Sequence, residues 1–225
     1  NRKTNEIFEA HHDFAAAKTA YVFKTMVDPF IGKYSFVKVC SGVLKGDDVL
    51  YNPESDAEAK IGKIYTLSGN KPVEVQELFA GDIGAIAKLT STKTGDTLST
   101  KNTPVSYGRT EYSKPYTYMK YVVNNKGDED KVSQALAKMM AEDVTLKVVN
   151  DSENRQSLIY GMGDQHLEVT ASKLAERYKV GIRLETPKVA FRETIRKNSD
   201  VDTKYKKQSG GHGQYGHVKM RFEPS

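Results

Sequence analysis

Lys131 to Asp143 reads KVSQALAKMMAED. Val132, Leu136, Met139 and Met140 recur at i, i+4, i+7 and i+8, one apolar face of a helix. The preceding turn, NNKGDED, puts acids into the first helical turn, where the helix dipole favours them. Upstream, PYTYMKYVV (115–123) reads as a strand. Downstream, VTLKVVN (144–150) and RQSLIYG (155–161) are two strands joined by the polar turn Asp151-Ser152-Glu153-Asn154. MGDQHLEVTASKLAERYK (162–179) is a second helix, with Leu167, Ala171, Leu174, Ala175 and Tyr178 on one face. VGIRLE (180–185) closes as a strand. The order β-α-β-β-α-β predicts an α+β ferredoxin-like domain over 115–187.

Residues 19–103 follow a different rhythm. TAYVFKTM, YSFVKVCSGVL, VLYNPES, AKIGKIYTL, VEVQELFAGD, IGAIAKL and KTGDTL are rich in Val, Ile, Tyr and Thr. DPFIGK, KGDD and SGNKP interrupt them as turns. The pattern predicts an antiparallel β-barrel or sandwich with no helix, cornered at Gly46-Asp47, Gly81-Asp82 and Gly95-Asp96. Gly81-Asp82-Ile83-Gly84 is part of one such corner. Residues 1–18 read as a tail that carries His11 and His12, and 104–114 (PVSYGRTEYSK) as a linker. After Thr186-Pro187 a third, incomplete α+β unit is expected over 188–225. Its KVAFRETI (188–195) reads as a strand and RKNSDVDTK (196–204) as a polar turn. HVKMRFEP (217–224) reads as a strand, with Val218, Met220 and Phe222 on one face and His217, Lys219 and Arg221 on the other.

Composition narrows the function. The chain has 225 residues and a formal net charge of +5. Residues 188–225 hold 9 basic and 4 acidic side chains, whereas the rest is balanced, so the whole excess lies in this segment. A basic segment of this kind favours a polyanionic partner. No apolar run is long enough to span a membrane, and the opening residues, without an apolar stretch, are not expected to act as a signal peptide. The single cysteine, Cys40, excludes an intrachain disulfide and reads as a small strand residue; it fits a reducing cytoplasm.

Gly211 to Gly216, GHGQYG, has the G-x-G-x-x-G spacing of a dinucleotide fingerprint. That fingerprint needs a strand before it and a helix after it. Here a basic polar stretch precedes it and a strand follows. The glycines read instead as a tight, exposed connection with free backbone amides. G-x-x-x-x-G-K-[ST] occurs nowhere, so no nucleoside-triphosphate loop is present. No nucleophile–base pair and no metal-ligand spacing appears. His212 and His217 lack a nearby cysteine or paired acid, and no catalytic residue is assigned.

Several stretches together resemble elongation factor G, the translocation GTPase. QSGGHGQYGHV (Gln208–Val218) resembles its Q-S-G-G-R-G-Q-Y-G-H-V signature. DPFIGKYSFVKVCSGVLKGDDVLYNP resembles its second domain. ALAKMMAEDVTLKV, GMGDQHLEV and TPKVAFRETI resemble its third domain and the approach to its fourth, in the same order. The resemblance covers essentially the whole chain. It departs at Asp164 and Gln165, where the family has Glu and Leu, and at His212, where it has Arg. A neutral imidazole lacks the fixed charge and forked donors of arginine. These departures suggest a diverged paralogue.

The resemblance implies a translation-factor barrel, a ferredoxin-like domain and the first strands of domain four. It implies that the GTP-binding domain, with GTP and Mg²⁺, lies upstream of Asn1, and that the parent is a GTPase while this stretch is not. It implies a cytoplasmic, ribosome-binding factor touching rRNA and ribosomal proteins. Gly161, Gly163, Asp164 and His166 then face the GTPase switch region or the ribosome; without the family, His166 is an ordinary helix-surface residue. From charge and loop chemistry, the rRNA contacts are Lys204, Lys206, Lys207, Lys219 and Arg221. Gln208, His212, Gln214 and His217 are their hydrogen-bonding neighbours. Tyr215 either stacks on a base or packs in a core. Ribosome protection and ribosome recycling share the domain plan and stay open as alternatives, as does an independent enzyme using the glycine loop. The unpaired edge near HVKMRFEPS offers a route to dimers by strand addition.

Overall fold

The computed structural model describes residues 1–28, 32–69, 71–208, 210–211 and 213–224. The chain divides into two compact units, Asn1–Pro187 and Lys188–Ser225.

The first unit opens with ten strands: β1 (Thr19–Asp28), β2 (Gly32–Ser41), β3 (Val43–Lys45), β4 (Val49–Asn52), β5 (Ala57–Lys60), β6 (Ile64–Ser68), β7 (Lys71–Val75), β8 (Glu77–Phe79), β9 (Ile83–Ala87) and β10 (Thr97–Ser99). Eight form an antiparallel sheet in the order β5-β4-β10-β1-β2-β9-β6-β7, and β3 pairs with β8. Both sets of strands contribute side chains to one core, as expected of a barrel. Val22, Val37, Leu44, Leu50, Ile64, Leu78, Ile86 and Leu98 meet there, contributed by eight different strands.

Three expected strands are each divided in two. YSFVKVCSGVL breaks at Gly42, whose φ is +74°. A Cβ there would meet Ala16 O at 2.8 Å and Lys18 Cα at 2.9 Å, because the N-terminal segment crosses directly over this bend. AKIGKIYTL breaks over 61–63 and VEVQELFAGD at Gln76. The expected turn SGNKP is shorter than its composition suggests, since Lys71 and Pro72 belong to β7; Asn70 lies outside the described residues. Pro72 fits because β7 ends the sheet, and Pro is tolerated on an edge strand. Gly84 is no corner: it lies within β9, against Leu78.

The corners share one geometry, and the first is displaced by one residue from its Gly-Asp reading. Asp82 Oδ2 accepts the Phe79 N–H and Asp96 Oδ2 the Lys93 N–H, both at 2.9 Å. The residues before these aspartates, Gly81 and Gly95, have φ of +98° and +92°. At the first corner Asp48 Oδ2 closes the turn onto the Lys45 N–H at 2.7 Å. The left-handed position therefore falls on Asp47, with φ +68°, and not on Gly46. Asp47→Gly is expected to stabilise the chain by about 0.5–1 kcal/mol, because glycine adopts this conformation without the Cβ penalty. A thermal melt that fails to rise refutes this account.

The barrel's flanks are tied down. Arg2 Nη1 donates to Pro53 O at 2.9 Å, and the Gly42 N–H to Asp13 O at 2.9 Å. Val105 is buried, Tyr107 N–H donates to Thr97 Oγ1, and Tyr107 OH lies 2.7 Å from Thr19 Oγ1.

The second half of this unit is the βαββαβ domain: β11 (Thr117–Val123), α1 (Glu129–Glu142), β12 (Lys147–Asp151), β13 (Gln156–Gly161), α2 (Asp164–Tyr178) and β14 (Ile182–Glu185). Its sheet runs β12-β13-β11-β14. Val132, Leu136 and Met139 are buried on α1, with Met140 partly so, as the periodicity predicts. On α2, Leu167 and Leu174 are buried but Ala175 is exposed, and Thr170 takes a buried place. Its hydroxyl donates to His166 O at 2.8 Å, which lets a polar residue sit on the inner face. No helix of the described residues is long and apolar enough to cross a membrane.

The second unit corrects the sequence reading. KVAFRETI forms no strand, and β15 (Ser199–Lys207) runs through the stretch read as a polar turn. It pairs antiparallel with β16 (Gln214–Phe222) along its whole length. Val201, Thr203 and Tyr205 alternate with Asp200, Asp202, Lys204 and Lys206, so the strand period was present but masked by charge. KVAFRETI pairs with no strand among the described residues, and a lone extended segment has no ladder to hold it.

Candidate nucleic-acid interface and interdomain cleft

Register sorts the basic hairpin into two faces. Asp200↔Arg221, Asp202↔Lys219, Lys204↔His217 and Lys206↔Tyr215 lie on one, and Val201↔Met220, Thr203↔Val218 and Lys207↔Gln214 on the other. Lys204, Lys206, Tyr215, His217, Lys219 and Arg221 are thus brought together. Lys207 and Gln214 are not. Gln208 follows β15, and His212 lies outside the described residues. Tyr215 is 67% exposed, so it is not a core residue of this unit.

The cations are not equivalent. Lys219 Nζ lies 3.0 Å from Asp202, which also bonds His217 Nε2. Arg221 sits between Glu223 at 2.8 Å and Asp200 at 3.9 Å. The acids therefore offset charge at the open end of the hairpin, and the positive excess is concentrated toward the glycine loop, at Lys204 and Lys206.

The predicted switch-facing residues gather at the start of α2. Gly161 ends β13, Gly163 precedes the helix and Asp164 opens it. A Cβ on Gly161 would meet Leu167 Cδ2 at 2.8 Å and His166 Nδ1 at 2.9 Å, so the imidazole packs over that glycine. His166 Nδ1 accepts the Met162 N–H at 3.1 Å, which leaves Nε2 as the donor to Asp143 Oδ2 at 3.0 Å. The His166 ring therefore bridges the β13–α2 turn and the end of α1, with Nδ1 toward Met162 and Nε2 toward Asp143.

Asp143 was not singled out by sequence. Its spacing to Thr145 was the available signal: Asp143 Oδ1 accepts both the Thr145 N–H at 2.8 Å and the Thr145 hydroxyl at 2.6 Å. Partial burial works to raise the Asp143 pKa, but the Thr145 bonds and the His166 imidazole outweigh it and hold the carboxyl below its ordinary value. A depressed folded-state pKa contributes stability above the unfolded value, and that contribution is lost as pH falls through the folded one. Asp143→Asn is accordingly expected to flatten the fall of Tm with acidification below about pH 4. Parallel acid limbs for the two chains would contradict this.

His166 and Asp143 line a cleft of about 480 Å³ between the barrel and the βαββαβ domain, together with Lys24, Thr145, Lys173 and Arg177. A four-bond polar pin closes one side. Glu142 Oε1 accepts the Val27 N–H at 2.7 Å, and Arg177 Nη2 donates to Val27 O at 2.9 Å. The two side chains also bind each other, Nη1 to Oε2 at 2.9 Å and Nη2 to Oε1 at 3.2 Å. On its outer side β1 pairs with β10 only over Thr19–Tyr21. Glu142 and Arg177 thus do for Val27 what a neighbouring strand would do. Nothing local in the sequence signals a contact between residues 27 and 177.

A translation-factor-type barrel followed by a ferredoxin-like domain and a basic hairpin defines a class of multidomain translation factor. Three consecutive family descriptions match the chain: elongation factor G domain 2 over 17–101, domain III over 113–186 and domain IV over 187–225. The chain belongs to the elongation factor G family. Its fold is similar to a crystal structure of a protein from Thermus thermophilus, with a TM-score of 0.74 and 32% identity over 92% of this chain. The chain spans 31% of that protein's length.

Proposed function

We propose that this chain is the ribosome-engaging part of an elongation-factor-G-like factor in protein synthesis. Its division is a barrel over 19–103, a ferredoxin-like domain over 115–187 and a domain-four portion over 188–225. The observation that carries this reading is the exposed row of Lys204, Lys206, Tyr215 and His217 in the stretch matching domain IV. Lysines on one strand face meet phosphates without reading sequence, so their binding is salt-sensitive. A GTP-binding domain in cis, holding GTP and Mg²⁺, would rest against the His166 end of α2, and GTP hydrolysis belongs to that domain. The working compartment is the cytoplasm. Recycling and protection factors with the same plan are the alternatives.

Co-sedimentation with ribosomes across a salt series tests the proposal. Lys204→Ala with Lys206→Ala is expected to weaken binding and lower the salt slope by about 2, one unit per lost phosphate contact. Lys207→Ala, on the other face, is expected to have the smaller effect. An unchanged slope in the double variant would sink the assignment.

A further inference from the structure

The turn between β13 and α2 is held by a bond that one proton can break. Met162 and Gly163 join Gly161, the last residue of β13, to Asp164, the first of α2. The Met162 N–H points at His166 Nδ1, 3.1 Å away. A backbone N–H can only donate, so this bond needs a bare lone pair on Nδ1. On the far side of the ring, Nε2 lies 3.0 Å from Asp143 Oδ2. Turning the ring over would place carbons at both positions and lose both contacts. The ring also lies against Gly161, where even a Cβ would come within 2.9 Å of Nδ1. Asp143 is fixed in its turn by Thr145, whose N–H and hydroxyl both donate to Oδ1.

A second proton on the imidazole acts on the two sides in opposite senses. Toward Asp143 it turns a hydrogen bond into an ion pair as well. Toward Met162 it sets N–H against N–H, so attraction becomes repulsion. Histidine is the side chain whose ordinary titration falls between about pH 5 and 8. The other ionisable groups lining the same cleft are Lys24 from β1, Tyr112 from the segment after the barrel, Glu142 from α1, and Lys173 and Arg177 from α2. Glu142 and Arg177 bind each other, and Asp164 stands at the first position of α2. Gly161, Met162 and Gly163 carry no charge of their own.

We propose that His166 is a proton-operated latch. Neutral, it ties the β13–α2 turn to the end of α1; protonated, it keeps Asp143 and releases Met162. Met162 is exposed, so water replaces the lost acceptor at little cost. Gly161 and Gly163 flank it and let the freed turn change its backbone angles without a Cβ penalty. Proton uptake thereby alters the surface formed by Gly161, Gly163 and His166. The inference rests on these bonds and not on the proposed function.

Nuclear magnetic resonance of the 225-residue chain, titrated from about pH 8 to about pH 5, tests it. At the upper end the His166 ring nitrogens are expected to show the proton on Nε2 and none on Nδ1. The Met162 amide shift is expected to follow the same titration curve as the ring. Its hydrogen-exchange protection, corrected for the intrinsic rate, is expected to fall about 2- to 10-fold across that curve. His166→Gln offers an acceptor to Met162 and a donor to Asp143 but takes up no proton in this range. It is expected to keep the protection and lose its pH dependence. The ring and amide signals of the unsubstituted chain decide the matter if that variant fails to fold. Three outcomes overturn the proposal: a ring protonated on Nδ1 at the upper end, a Met162 amide that stays still while the ring titrates, or the same amide titration in folded His166→Gln. The last would assign the pH response to another group of the cleft.

Discussion

An Asp96→Ala chain is expected to lose about 3 kcal/mol of unfolding free energy, the largest single-residue effect outside the apolar cores. Asp96 is buried and accepts three hydrogen bonds. These come from Asn52 Nδ2 at 2.9 Å, the Lys93 N–H at 2.9 Å and Arg109 Nη2 at 2.6 Å. Asn52 is fully buried, and its amide retains one further acceptor, Ser91 O, at 3.2 Å. Alanine would leave this amide half-satisfied and free a turn N–H inside the barrel, which is why the cost exceeds that of a surface ion pair. Asp96→Asn, which keeps an acceptor but loses the charge, is expected to cost about half as much. Urea denaturation measures both. A loss under about 1 kcal/mol for alanine would mean that water takes over the carboxylate's bonds.

The second large effect is expected at the Val27 pin. Glu142→Ala removes the acceptor for the Val27 N–H and the partner of Arg177 together, at a cost of about 2 kcal/mol. Arg177→Ala removes the complementary half. Because the groups form one network, the double variant should fall short of the sum by about 1 kcal/mol. The calorimetric signature is more specific than the magnitude. With the pin gone, the barrel and the βαββαβ domain are expected to melt in two resolved transitions. A single sharp transition at a merely lower temperature would show that apolar contacts alone couple them.

The βαββαβ order was legible because KVSQALAKMMAED and the α2 stretch are long and strongly periodic, and a helix face depends on local spacing. The barrel strands are legible in position but not in where they break. A strand's continuation through Gly42 or Gln76 is decided by which partner lies alongside, and that is a long-range fact. β15 is hidden in the sequence because SDVDTKYKK alternates with only one apolar aliphatic residue, and its composition resembles a turn. The basic residues of the hairpin were found from charge. Their sorting into Lys204 and Lys206 on one face and Lys207 on the other required the register with β16. The His166 environment was half legible: its position in the first turn of α2 followed from sequence, while its bond to Asp143 joins groups 23 residues apart. The Val27 pin is invisible in the sequence for the same reason.

The uneven charge of the β15–β16 hairpin has a kinetic meaning. Lysines near the glycine loop and aspartates toward the open end give the hairpin an electric dipole along its own axis. Near a polyanion such an object feels a torque as well as an attraction, and both fade over about 10 Å at moderate salt. On the proposed function, the hairpin would turn its loop end toward such a polyanion before any atom touches. Exchanging Asp200 and Asp202 for neutral residues would raise its net charge yet blunt that orientation, trading directed encounters for merely frequent ones.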